Sequence, residues 1–162
     1  MKARHMFAIA AAALAAGCSS TDANKITKAS PKPVLDPAVQ AATAVAELWL
    51  TEVDRGDLAG SWDHIARASQ QMVPKEAWVQ SVHNVREPLG HPSRKLAGAT
   101  YTRSIPGAPD GEYVIVQYTT HFDKLPKDEV GVETVTPMRD RDGNWRVSGY
   151  YIKTVPALDR QE

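Results

Sequence analysis

Several side chains in this 162-residue chain are of types that do chemistry. Asp63, His64 and His121 could serve as a proton-abstracting base, with Tyr113 or Tyr118 donating a hydrogen bond to the charge that develops, as in an isomerase or dehydratase. That chemistry needs a base and a donor projecting into one apolar pocket, within about 3 Å of a ligand atom. A plainer reading makes Asp54 and Asp57 helix ends and caps, and leaves Asp63 and His64 on a solvated helical face. Arg86, Arg94 and Arg146 could each grip an anion bidentately. Alternatively, Arg86 or Arg146 could hold Glu87, Glu112 or Glu133 in a structural ion pair.

Other chemistries lack their patterns. His64, His83, His91 and His121 show no metal-binding spacing, and Cys18 is the single cysteine, so no metal and no cofactor are expected. Ser61 and Ser81 lack the strand-turn-helix setting of an activated nucleophile, and no glycine-rich phosphate loop follows a strand. No catalytic set is therefore expected, with Asp63, His64, His121 and Tyr113 as the candidates that remain.

The elements that must position these residues can be read from their periodicity. Asp36-Pro37 is a helix opening, and Ala42, Val45, Ala46, Trp49, Leu50 and Val53 fall on one helical face before Gly56. Asp57 caps a second helix with Leu58, Trp62 and Ile65 on one side; Pro74 starts a third carrying Trp78, Val82 and Val85. Beyond Pro88, Gly90 and Pro92 the period becomes two, predicting strands over 96–105, 112–122, 130–139 and 145–154. Asp142-Gly143 is a hairpin signal. The fold class predicted is α+β: N-terminal helices packed on a four-stranded antiparallel meander.

Two further readings concern packing. Trp49, Trp62 and Trp78 lie on the buried helical stripes and predict core, with an indole nitrogen bonded to a carbonyl, although tryptophans could also line a ligand pocket. In the second strand Val114, Val116, Tyr118 and Phe122 should face the core, opposite Tyr113, Ile115, Gln117, Thr119 and His121. In the last strand Tyr150 and Ile152 should oppose Trp145, Val147 and Tyr151. Apolar residues on both faces suggest an outer face covered by a second copy, as a homodimer, or by another envelope protein; the alternative is isolated apolar surface residues, which need no partner.

Location is written at the N-terminus. Lys2 and Arg4, the apolar run Met6–Ala16 and the small residues before Cys18 have the order of a secretory signal. The run is about half the roughly 20 residues that span a bilayer. Leu14-Ala15-Ala16-Gly17-Cys18 resembles the lipobox of bacterial lipoproteins, which implies lipidation of Cys18 and anchoring to the membrane. Ser19 then implies, by resemblance to bacterial sorting rules, an outer-membrane anchor facing the periplasm. The expected organisation is a signal peptide over 1–17, lipidated cysteine and tether over 18–35, one domain over 36–156 and a tail over 157–162. Lys plus Arg and Asp plus Glu are balanced at 19 each, so the basic surplus of nucleic-acid binding is missing.

Trp49-Leu50, Val53-Asp54-x-Gly56-Asp57, Ser61-Trp62-Asp63, Val85-Arg86-x-Pro88-Leu89-Gly90, the loop Pro106–Tyr113 and Gly143-x-Trp145-Arg146-Val147-x-Gly149-Tyr150 together resemble an uncharacterised bacterial family of secreted domains. The element order is similar to the NTF2-like class, which implies a cone-shaped α+β domain with a pocket between helices and sheet. The expectation is a lipid-anchored binding or interaction module of the cell envelope. The alternatives are an isomerase- or dehydratase-type enzyme using such a pocket, and a purely structural envelope lipoprotein.

Overall fold

The computed structural model describes residues 36–157. The signal segment, Cys18 and the tether lie outside the described residues, as does the tail beyond residue 157. Among the described residues four helices precede four strands: α1 (Pro37–Asp54), α2 (Leu58–Asp63), α3 (Arg67–Met72), α4 (Lys75–Arg86), β1 (Pro92–Thr102), β2 (Tyr113–Phe122), β3 (Glu129–Arg139) and β4 (Trp145–Pro156). The strands form one antiparallel sheet in the order β1-β2-β3-β4. The α+β class and the meander stand as expected.

Local signals account for the helix boundaries. Asp36 accepts a hydrogen bond from the Ala38 amide at 2.8 Å, and proline follows at the first helical position. Gly56 closes α1 in the left-handed region, φ 79°. Asp57 Oδ1 accepts from the Gly60 amide at 2.9 Å and starts α2. Asp57→Ala should therefore cost about 1 kcal/mol, seen as a lower urea midpoint with an unchanged denaturant slope. An unchanged midpoint would mean that the tertiary contacts of α2 already fix its first turn.

The core lies between α1, which touches all four strands, and one face of the sheet. Val39, Ala42, Ala46, Trp49, Leu50 and Val53 of α1 meet Val114, Val116, Val135 and Val147. The tryptophans are held as predicted: Nε1 of Trp49 donates to the Ser61 carbonyl at 3.0 Å, and that of Trp62 to the Val73 carbonyl at 2.9 Å. Trp78 instead donates to Ser61 Oγ at 3.1 Å.

Five details depart from the sequence reading. Among the described residues there are four helices, not three; α3 buries only Ser69, so no apolar stripe announces it. Ile65 lies past the end of α2, where it bridges Val147 of β4. On α4 the buried stripe passes through Val82 and Arg86, while Val85 is exposed. β1 ends at Thr102 and begins as early as Pro92, a start hidden because inward-facing Arg94 reads as polar and a bulge between Leu96 and Gly98 breaks the alternation. Finally, a bulge at Thr136/Pro137 lets Val147 and Tyr150 both face the core, instead of opposing each other.

Candidate functional site

Four charged side chains from four elements meet beneath the sheet. Asp54 is the last residue of α1, Arg86 the last of α4, Arg94 lies on β1 and Glu133 on β3. Asp54 and Arg86 each extend a buried helical stripe, four residues past Leu50 and Val82 respectively. Glu133 alternates with Gly131 and Val135 on the inward face of β3 and has no solvent-exposed surface.

The geometry closes a ring. Arg86 Nη1 donates to Glu133 Oε1 at 3.0 Å, and Nη2 to Asp54 Oδ1 at 2.7 Å. Arg94 Nε donates to Glu133 Oε2 at 2.9 Å, while its Nη1 pairs with Asp54 Oδ2 and its Nη2 donates to Asp54 Oδ1 at 2.9 Å. Each guanidinium thus spans both carboxylates. Glu133 also accepts from Thr120 Oγ1 at 2.5 Å and from the Tyr150 hydroxyl at 2.7 Å. The Phe122 ring packs on the Arg86 guanidinium, 4.9 Å from its carbon. Gly131 makes room for that ring, since a Cβ there would stand 2.6 Å from Phe122 Cε2.

Electrostatics follow from this geometry. Burial pushes the Glu133 pKa up, but hydrogen bonds from Arg94 and Thr120 outweigh it, and the carboxyl is held below its ordinary value. Burial works against the charge of Arg94, yet its bonds to Asp54 and Glu133 hold the guanidinium protonated beyond its usual range. Tyr150 is driven upward by burial and then by the Glu133 charge, and burial pushes Tyr118 up to about 12. Glu133 is therefore ionised and Arg94 protonated at neutral pH, with a neutral Tyr150 as donor. Through Asp54 and Arg86 the network cross-links the end of α1, the end of α4 and the inner face of the sheet.

The four acid/base candidates are dispersed. Asp63 accepts from Lys75 Nζ at 2.8 and 2.9 Å on the surface. His64, exposed at the end of α2, pairs through Nδ1 with Glu52 at 2.8 Å. His121 is exposed on the sheet face opposite α1, and Tyr113 is buried with its hydroxyl donating to the Pro109 carbonyl at 2.7 Å. The Tyr113 ring does form one wall of a ≈ 680 Å³ cleft between α3 and the β3–β4 hairpin. Of the three arginines, Arg86 and Arg94 come together, and Arg86 takes Glu133 as its sequence reading allowed. Arg146 stands apart, pairing with Asp140 at 2.8 Å and with Asp142 at 2.8 and 2.9 Å. That pair, together with the Asn144 amide, holds the Asp142 carboxyl well below its usual pKa. Among the described residues no three His, Cys, Asp or Glu side chains gather as a metal would require.

Asp54, Thr120 and Tyr150 were missed as partners in the network. Their signal was positional: a carboxylate on a buried helical stripe, and a threonine at the inward parity of Val116, Tyr118 and Phe122. Fold and site together define a helix-covered antiparallel meander whose core is cross-linked by buried charge. The chain belongs to the family described as Protein of unknown function (DUF4019), which matches residues 45–150 and so includes every member of the network. No curated protein and no solved structure matches the chain.

Proposed function

We propose that this protein is a lipid-anchored interaction domain of the cell envelope. In this reading an acylated Cys18 holds the chain to the outer membrane on the periplasmic side. Residues 19–35 tether the domain, and the open face of the sheet binds an acidic partner protein. The observation that carries the binding surface is a row across all four strands, Lys95–Thr119–Val132–Lys153, on the side away from α1. The next row adds Gln117, Thr134 and Tyr151. The two rows hold lysines at both edges, hydroxyls and an aliphatic residue between, and no carboxylate. Such a surface favours an acidic partner through charge complementarity. The order of helices before an antiparallel meander also supports placing the domain in the NTF2-like class.

The test uses the full chain in a bacterial cell, with a photo-crosslinker placed at Thr134 on the open face or at exposed Leu48 on α1. Cys18→Ser should move the protein from the membrane fraction to the soluble one. A defined adduct is expected from Thr134 and not from Leu48, and Lys95→Glu with Lys153→Glu should abolish it. A Cys18→Ser protein that still sediments with membranes would overturn the anchor. An adduct that survives both lysine reversals would overturn the binding surface.

A further inference from the structure

We propose that a second copy of this chain adds to the sheet along β4, antiparallel and centred on Ile152, so that two four-stranded sheets become one of eight. This rests on the backbone edge and does not depend on the partner proposed for the sheet face. β4 is an edge strand whose two halves differ. The first half is covered: the Ala66 amide donates to the Val147 carbonyl at 2.8 Å, and Ser69 Oγ donates to the Ser148 carbonyl at 3.1 Å. From Tyr150 to Val155 no such outward bond is made among the described residues.

An open strand edge is a template for another strand, and proteins usually blunt it with bulges, prolines or covering segments. β1 is blunted, since it begins at Pro92 and is bulged between Leu96 and Gly98. The bulge beside β4 sits at Thr136/Pro137, against the half already covered. Beyond it the register with β3 runs unbroken from Thr136↔Gly149 to Glu129↔Pro156. Among the described residues the second half of β4 is therefore regular, extended and uncovered until Pro156, with Lys153 its one charged side chain.

Its side chains select both the occupant and the register. With the twofold axis at Ile152, the strand places Ile152 against Ile152 and Tyr150 against Thr154. It also places each Tyr151 against the other copy's Lys153. Tyr151 and Lys153 lie on the same open face, and Tyr151 is 62 % exposed in the single chain. Two ammonium groups thus meet two aromatic rings across the new strand pair. Centring the axis on Lys153 would set lysine against lysine, which opposes pairing. So short an edge makes a small interface, and the dimer should be weak.

The experiment is sedimentation velocity on the full chain carrying Cys18→Ser, at tens to hundreds of micromolar. A monomer–dimer equilibrium is expected. Tyr151→Lys places lysine against the other copy's Lys153 twice and should weaken dimerisation about tenfold or more. Tyr151→Glu places opposite charges there and should keep or strengthen it. Circular dichroism matching the parent would confirm that both variants fold. Lys95→Glu lies on the far edge and should leave the dimer intact, though it belongs to the surface proposed for the partner. A chain that stays monomeric overturns the proposal. Equal weakening by Tyr151→Lys and Tyr151→Glu overturns it too, pointing to face-to-face contact, as does indifference to both.

Discussion

Glu133→Gln is expected to destabilise the domain by about 3–5 kcal/mol, the usual cost of removing one partner from a buried ion pair. The substitution preserves shape, so the loss is electrostatic. Glu133 has no solvent-exposed surface and accepts from Arg86, Arg94, Thr120 and Tyr150. A neutral amide would leave two guanidinium groups facing one carboxylate, Asp54, and would turn an NH₂ toward donors. The pH dependence has a definite sign. The folded pKa of Glu133 lies below its ordinary value, so its ionisation stabilises the fold. That contribution is fully present above the unfolded carboxylate pKa, about 4.3, and is lost as pH falls through the depressed folded value. Urea unfolding at neutral pH and through the acid range should therefore show the parent losing stability on acidification and Glu133→Gln losing less. A difference between the two proteins under about 0.5 kcal/mol at neutral pH, the range of an ordinary surface change, would contradict the central role given to the network.

What the sequence could and could not reveal follows from how each feature is encoded. α1 was legible because its cap, its stripe and its closing glycine are all local. β2 was legible because Val114, Val116 and Tyr118 alternate and Phe122 resumes the pattern past Thr120. Two bulges defeated the same reasoning on β1 and β4, because a bulge reverses the parity of every residue past it and is fixed by the partner strand. α3 gave no signal because a six-residue helix burying only Ser69 has no apolar face to announce it. The network was half legible. Arg86 and Glu133 came into view as a pair, but the ring needs Asp54 and Arg94 as well. Those two lie 40 residues apart and meet only after the sheet has folded under α1. A charged residue at core parity predicts a partner, while tertiary structure chooses which.

Trp49→Ala should also cost about 3–5 kcal/mol, as expected for truncating a large buried aromatic. Trp49 is 2 % exposed, packs edge-on against Trp78 and Tyr150 with ring centres 6.0 and 5.1 Å away, and donates to the Ser61 carbonyl. Trp49→Phe separates the effects. It retains an aromatic ring but removes the donor to the Ser61 carbonyl, a loss of about 1–3 kcal/mol if that acceptor stays dry. The same indole also braces Tyr150, whose hydroxyl donates to Glu133 Oε1 at 2.7 Å. Apolar packing around Trp49 therefore helps to hold the donor that the buried carboxylate needs. A double-mutant cycle of Trp49→Phe with Tyr150→Phe should be non-additive, with a coupling of about 0.5 kcal/mol or more. Additive losses would mean that Arg86, Arg94 and Thr120 hold Glu133 without help from the aromatic cluster, so that core and network are separate supports of one fold.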